Sequence, residues 1–168
     1  MRIQYPNGAR DVECLSVLPD GGLVMLTKTL DFRATVLHVD TWRSGSTSTA
    51  QIGGTLPLML SGSARSDRVT GCDLSEAHGL FVVRTYEHVL VFEDALSPTV
   101  DALLTATPCV AKLPSQEQGE AIAISRETPP YLFLLSEDVG EPIWKIPLTN
   151  SARSPSPEAA TTPPPVPK

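Results

Sequence analysis

Apolar and polar positions alternate in short runs along most of this chain. The stretch "DVECLSVLPDGGLVMLTK", Asp11 to Lys28, reads as a strand, a tight turn and a second strand. Two later stretches repeat it: "TGCDLSEAHGLFVVRT", Thr70 to Thr85, and "EAIAISRETPPYLFLLSE", Glu120 to Glu137. Val17, Leu74 and Ile124 fall on the same apolar position. A polar turn follows each: Pro19-Asp20-Gly21-Gly22, Glu76-Ala77-His78-Gly79, and a longer Arg126-Glu127-Thr128-Pro129-Pro130. The turns lead into "LVML", "LFVV" and "YLFLL". A third strand then follows each hairpin: "ATVLHVD" to Asp40, "HVLVFE" to Glu93, "PIWKIPL" to Leu148. The units recur about every 50 residues, the spacing of propeller blades rather than of a sandwich.

No stretch holds a helical period over three turns. "DALLTATPCVAK" comes nearest, and Pro108 interrupts it. Thr41 to Gly54 is rich in Ser, Thr and Gly and reads as a loop. From Ser151 the chain is Pro-, Ser- and Ala-rich, with too little apolar surface to offset its ordering entropy. The sharper reading of its end, "TTPPPVPK", is a ligand for an SH3-type groove. The expected fold is all-β: about three β-propeller blades, a partial or split propeller, over residues 1–150, with a disordered tail over 151–168. Three units are too few to close a ring, since propellers have about four to eight. An open stack would leave an apolar face at each end. A homo-oligomer or a second chain would complete the propeller.

The chain has 168 residues and a formal net charge of −6. That balance gives no large basic footprint for nucleic acid. No apolar run is long enough for a membrane span, and "MRIQYPNGAR" has no apolar core of a signal peptide. By default this suggests a cytoplasmic chain, or one cut away from its own start. Cys14, Cys72 and Cys109 are neither a disulfide framework nor a zinc site by spacing. They read as small buried hydrophobes, with a Cys14–Cys72 bridge open if the two segments are neighbours.

A set of five ordered motifs, "YPNGARDVECL", "LTK", "VRTYEHVLVFE", "QGEAIAI" and "SE…GEPIWKIPL", resembles the second half of a group of bacterial, usually exported, mostly uncharacterised β-propeller proteins. The expected family pattern is "YPDG-x-RD-x-EAL", "TK", "RTY", "QGEA" and "SE…PLYR-x-P". The resemblance covers about residues 4 to 148. It departs at Asn7, which stands for the family's Asp, and at Cys14 and Leu15, where "AL" is usual. The family's first half, with its "D-W-E-D" and "G-D-I-G-D-N" segments, has no counterpart here. The resemblance implies a propeller and a truncated or split family member.

The charged residues then gain a common address. Asp11, Glu13 and Glu120 lie at the start of a unit's first strand, with Thr70 and Asp73 near the equivalent point of the middle unit. Lys28, Arg84 and Glu137 lie at the end of the following strand, and Tyr86 stands just after Arg84. In a hairpin the start of one strand is beside the end of its partner. If first strands line an axis, these ends converge on one mouth of a central channel. One reading is a satisfied polar network that ties the units together. The other is a binding site for a hard cation such as calcium or for a small anionic ligand. Tyr86 either caps the mouth or packs. Trp144 reads as core, and His38, His78 and His88 lack ligand spacing and read as structural.

No nucleophile elbow, P-loop, zinc-protease or dinucleotide motif occurs, so the sequence offers no catalytic residue, no metal ligand set and no cofactor. The functional expectation is a non-enzymatic binding or interaction scaffold. The alternative is a propeller hydrolase of the calcium-dependent phytase or esterase-like type, using Asp11, Glu13, Glu120 and Glu137 with Lys28 and Arg84.

Overall fold

The computed structural model describes residues 1–93 and 100–148; the expected disordered tail lies outside the described residues. The fold is all-β. Three antiparallel meanders follow one another along the chain. The first sheet has the order β2 (Val12–Val17), β3 (Leu23–Thr27), β4 (Arg33–Val39) and β6 (Gln51–Pro57). The second runs β7 (Val69–Ser75), β8 (Leu80–Thr85), β9 (His88–Phe92) and β10 (Cys109–Lys112). The third runs β11 (Gly119–Ile124), β12 (Tyr131–Ser136) and β13 (Trp144–Pro147). A two-stranded parallel ribbon pairs β1 (Arg2–Gln4) with β5 (Thr47–Thr49). Among the described residues no sheet closes into a barrel.

The three predicted hairpins form where turn chemistry and alternation agree. Asp20 Oδ1 accepts the Gly22 amide at 2.8 Å, and Gly21 takes φ of 86°, a conformation that costs a glycine little. Gly79 plays the same part after the single 3-10 turn Glu76–His78, with φ of 62°. Two regions differ from expectation. The Ser/Thr/Gly stretch 41–54 is not all loop: it carries β5 and the start of β6. A short helix α1, Val100–Thr105, precedes Pro108. The two observations are linked, because α1 packs on β6. Added Cβ atoms at Gly53 and Gly54 would run into Val100 and Leu104, the second at 2.6 Å from Leu104 Cδ1. The glycines that suggested a loop are there to admit a helix.

The first strands β2, β7 and β11 lie side by side without sharing a backbone ladder. Between the first and second sheets, Val24, Leu26 and Val36 meet Phe81, Val83, Leu90 and Phe92. Between the second and third, Val82 and Val89 meet Ile122, Leu132 and Leu134. A third cluster lies on the far face of the first sheet, where Ile3 and Tyr5 cover Leu23, Met25, Leu37 and Val39. Burial of this kind contributes ~25 cal/mol per Å² of apolar surface, so sheet-on-sheet contact dominates the fold.

Covalent and polar ties reinforce the first-strand junctions. Cys14 on β2 and Cys72 on β7 form a disulfide, replacing the reading of both as simple buried hydrophobes. Asp73 on β7 accepts the Ile124 amide of β11 at 2.7 Å.

Candidate functional site

Each first strand carries the same irregularity. The register of β2 on β3 skips Glu13, that of β7 on β8 skips Thr70, and that of β11 on β12 skips Glu120. A bulge leaves its extra residue outside the ladder and re-aims the side chain. Opposite each bulge stands a buried hydroxyl: Thr27, Thr85 and Ser136. Each accepts an amide of the next strand or of the loop before it: Thr35 at 2.9 Å, His88 at 3.0 Å and Asp138 at 3.2 Å. One structural device therefore recurs three times at the same end of the molecule.

Two of the residues that the bulges release, Glu13 and Glu120, meet there. Lys28 Nζ donates to Glu13 Oε1 at 3.1 Å and to Glu120 Oε1 at 3.3 Å. The Tyr86 hydroxyl donates to Glu120 Oε1 at 2.7 Å. Lys28 and Arg68 both lie over the Tyr86 ring, at 5.3 and 5.6 Å from its centre. Glu13 and Lys28 come from the first sheet, Tyr86 from the end of the second, and Glu120 from the third. The cluster joins all three sheets. Burial alone would lower the Lys28 pKa. Interaction with the Tyr86 hydroxyl and Glu13, with the charges of Glu120 and Glu13, more than reverses this, and Lys28 is raised above the usual lysine value. Tyr86 is raised by burial first and then by its bond to Glu120, against the opposing pull of Lys28.

Arg84 stands elsewhere. The sequence puts it at a strand end, in step with Lys28. The observed register pairs Val12 with Thr27 and Val69 with Thr85, so the counterpart of Lys28 is Tyr86 and that of Arg84 is Leu26. Arg84 accordingly points between the second and third sheets and is 0% exposed. Its Nη1 donates to the carbonyls of Ala121 at 2.6 Å and Leu135 at 3.1 Å, and its Nη2 to Gln116 Oε1 at 2.8 Å. Ala121 and Leu135 are the first pair after the Glu120 bulge, so the guanidinium fills the break in that ladder. Burial pushes the Arg84 pKa down to about 10, with the Glu120 charge acting against the shift.

Of the other expected members, Asp11 and Glu137 are exposed, and among the described residues neither joins the ion pairs around Lys28. Their backbones serve instead: the Asp11 carbonyl accepts the Lys28 amide at 2.8 Å, and the Glu137 amide donates to Gln118 at 2.9 Å. Asp73 is the tie already described, and Thr70 is buried, its hydroxyl without a hydrogen-bond partner among the described residues. Trp144 lies on the edge strand and is partly exposed rather than full core. Sequence reasoning passed over Arg68 and Gln116. Gln116 had one available signal, its place just before the "QGEA" run that leads into β11.

A cleft of about 300 Å³ opens beside Tyr86, lined among others by Arg65, Ser66, Glu87, Lys112 and Gln116. That is the lower end of small-ligand volumes. Among the described residues no group of three or more His, Cys, Asp or Glu side chains is arranged to hold a metal ion. Lys28 occupies the point between Glu13 and Glu120 that a cation would take. No helix among the described residues is long and apolar enough to cross a membrane. No protein-family model and no curated protein matches the chain.

Proposed function

We propose that the chain is a non-enzymatic interaction scaffold: three blades of a β-propeller with a charged channel mouth. The carrying observation is the threefold bulge. Three successive meanders lie with their first strands side by side, and each releases one residue at the same end, Glu13, Thr70 and Glu120. That repetition supports first strands that line an axis. It is also in keeping with the resemblance to exported propeller proteins. The Cys14–Cys72 disulfide is in keeping with an oxidising compartment and thus with export. A closed ring takes sheets beyond the three described.

At the mouth, Glu13, Lys28, Tyr86 and Glu120 hold one another and leave the cleft beside Tyr86, lined by Arg65 and Lys112 and by Glu87 and Glu117, for a small polar ligand. Two measurements test the reading. Small-angle scattering of the assembled protein should give the profile of a disc with an axial channel; a solid, elongated particle would overturn the propeller. Hydrolysis of phosphate and carboxylate ester substrates should stay at background with and without calcium. Turnover that a chelator abolishes would replace the scaffold by the calcium-dependent hydrolase.

A further inference from the structure

The two ends of the sheet stack are the two halves of one junction. At each internal junction the first strand of one sheet presents side chains no larger than those that meet them on the next, equal only at the Cys14–Cys72 bridge. Cys14 and Ser16 of β2 face Cys72 and Leu74 of β7; Gly71 and Asp73 of β7 face Ile122 and Ile124 of β11. The close approach is real at Gly71, where a Cβ would lie 2.8 Å from the Glu120 carbonyl oxygen.

The unpaired ends follow the same rule. On β2 the side chains that face away from the second sheet are Leu15 and Val17, large and 58% and 55% exposed. On β11 those facing away are Ala121 and Ala123, small and exposed, beside Leu135, which is 45% exposed. Strand numbers match as well. Among the described residues the third sheet has three strands, where the first and second have four. β1 is a strand with no meander of its own, and it precedes β2 as β6 precedes β7 and β10 precedes β11. Tyr5 after β1 packs on the first sheet as Leu113 after β10 packs on the third.

We propose that two copies of this chain associate head to tail. The Ala121–Ala123–Leu135 face of each third sheet takes Leu15 and Val17 of the other copy, and β1 of that copy lies along the free edge of β13. Pro147 has no amide to donate, which keeps that edge contact short, in keeping with the three residues of β1. Both junctions are then identical and the assembly closes at six sheets, within the range of about four to eight that closed propellers span. This rests on the propeller reading and adds the partner and the residues that join it.

The experiment is the solution mass of the whole chain by light scattering, with two exposed-site variants, Leu15→Glu and Ala123→Lys, whose folding is checked by thermal melting. The wild type should have the mass of two chains. Each variant alone should be a monomer, because both its junctions carry an uncompensated charge. A one-to-one mixture should return to two chains, because one junction is then wild type and the other sets the introduced carboxylate on one copy's head against the introduced ammonium on the other's tail. Three results would overturn the proposal: a monomeric wild type, a mass that grows with concentration beyond two chains, or a Leu15→Glu variant that stays dimeric while Ala123→Lys does not, which marks a tail-to-tail contact. The propeller reading is judged separately by the scattering profile. A dimer that obeys the mixing rule without an axial channel keeps the head-to-tail contact and loses the ring. A monomeric wild type loses the second copy and leaves the ring to other sheets.

Discussion

Arg84 lies in the space that Gly119 leaves open: a Cβ at position 119 would stand 2.7 Å from the Arg84 Cζ and closer still to Nη2. The glycine and the arginine are one device. The chain needs a residue without a side chain just before the Glu120 bulge so that a guanidinium from the neighbouring sheet can reach the carbonyls of Ala121 and Leu135.

Gly119→Ala should therefore destabilise by about 1–3 kcal/mol, the usual cost of overpacking. Arg84 is held by three hydrogen bonds and has no rotamer to retreat into without leaving them. In an Arg84→Met background the same alanine should cost much less, because the pinned group is gone. Chemical denaturation of the four proteins in a double-mutant cycle gives the coupling. Simple additivity would show that the two residues do not share this space.

The Lys28 cluster should be read out at alkaline pH. Lys28 has a folded pKa above its unfolded value, so its contribution is complete below the unfolded pKa, about 10.4, and is lost as pH rises through the folded one. Tyr86, also raised, acts in the same direction. Arg84 has the opposite sign: its folded pKa is lowered to about 10, so loss of its proton relieves the fold above that value. The expected net result is a fall in melting temperature starting near pH 10, about where Lys and Tyr ordinarily titrate. Lys28→Met should flatten that fall; an unchanged alkaline profile would remove Lys28 as its source.

Reduction of the Cys14–Cys72 bond should lower stability without changing the fold. The bridge closes a sequence separation of 58 residues, for which chain entropy gives ~4 kcal/mol. In a chain of this size that is a fall of roughly 10 °C in melting temperature. Thermal melts with and without reductant, and of a Cys14→Ser/Cys72→Ser variant, measure it. An equal loss in both would assign the effect to the bond.

Asp73 ties the second and third sheets through a single short bond to the Ile124 amide. Asp73→Ala should cost about 1–2 kcal/mol, the penalty of a lost charge-assisted bond and an unmet amide. The specific signature is local. Hydrogen exchange at Ile124 should accelerate by more than at Ile122 on the same strand. Uniform acceleration would mean the sheet loosens as a whole.

The hairpins were legible because two independent signals coincide in them. Alternation sets the strands, and Asp20-Gly21-Gly22 or His78-Gly79 sets the turns. β5, β6 and α1 were not legible, since Gly53 and Gly54 answer to a helix far along the chain and not to local preference. The disulfide depended on β2 lying against β7, a tertiary fact. The charged cluster was half legible: Glu13, Lys28, Tyr86 and Glu120 do meet, while Arg84 was assigned one step out of register. The bulges are the physical reason. An extra residue in a strand shifts its partner by one position, and alternation alone gives no sign of it.

Because Glu13, Thr70 and Glu120 sit outside their ladders, their identities are uncoupled from the in-and-out order that builds the core. A substitution at any of them leaves the next paired residue, Cys14, Gly71 or Ala121, in register. The three positions can therefore change without flipping the alternation of the strand that follows each of them. Thr70 is buried and both glutamates pair with Lys28, so the cost of such a change is local, in packing or in one ion pair, and not in the order of the sheets.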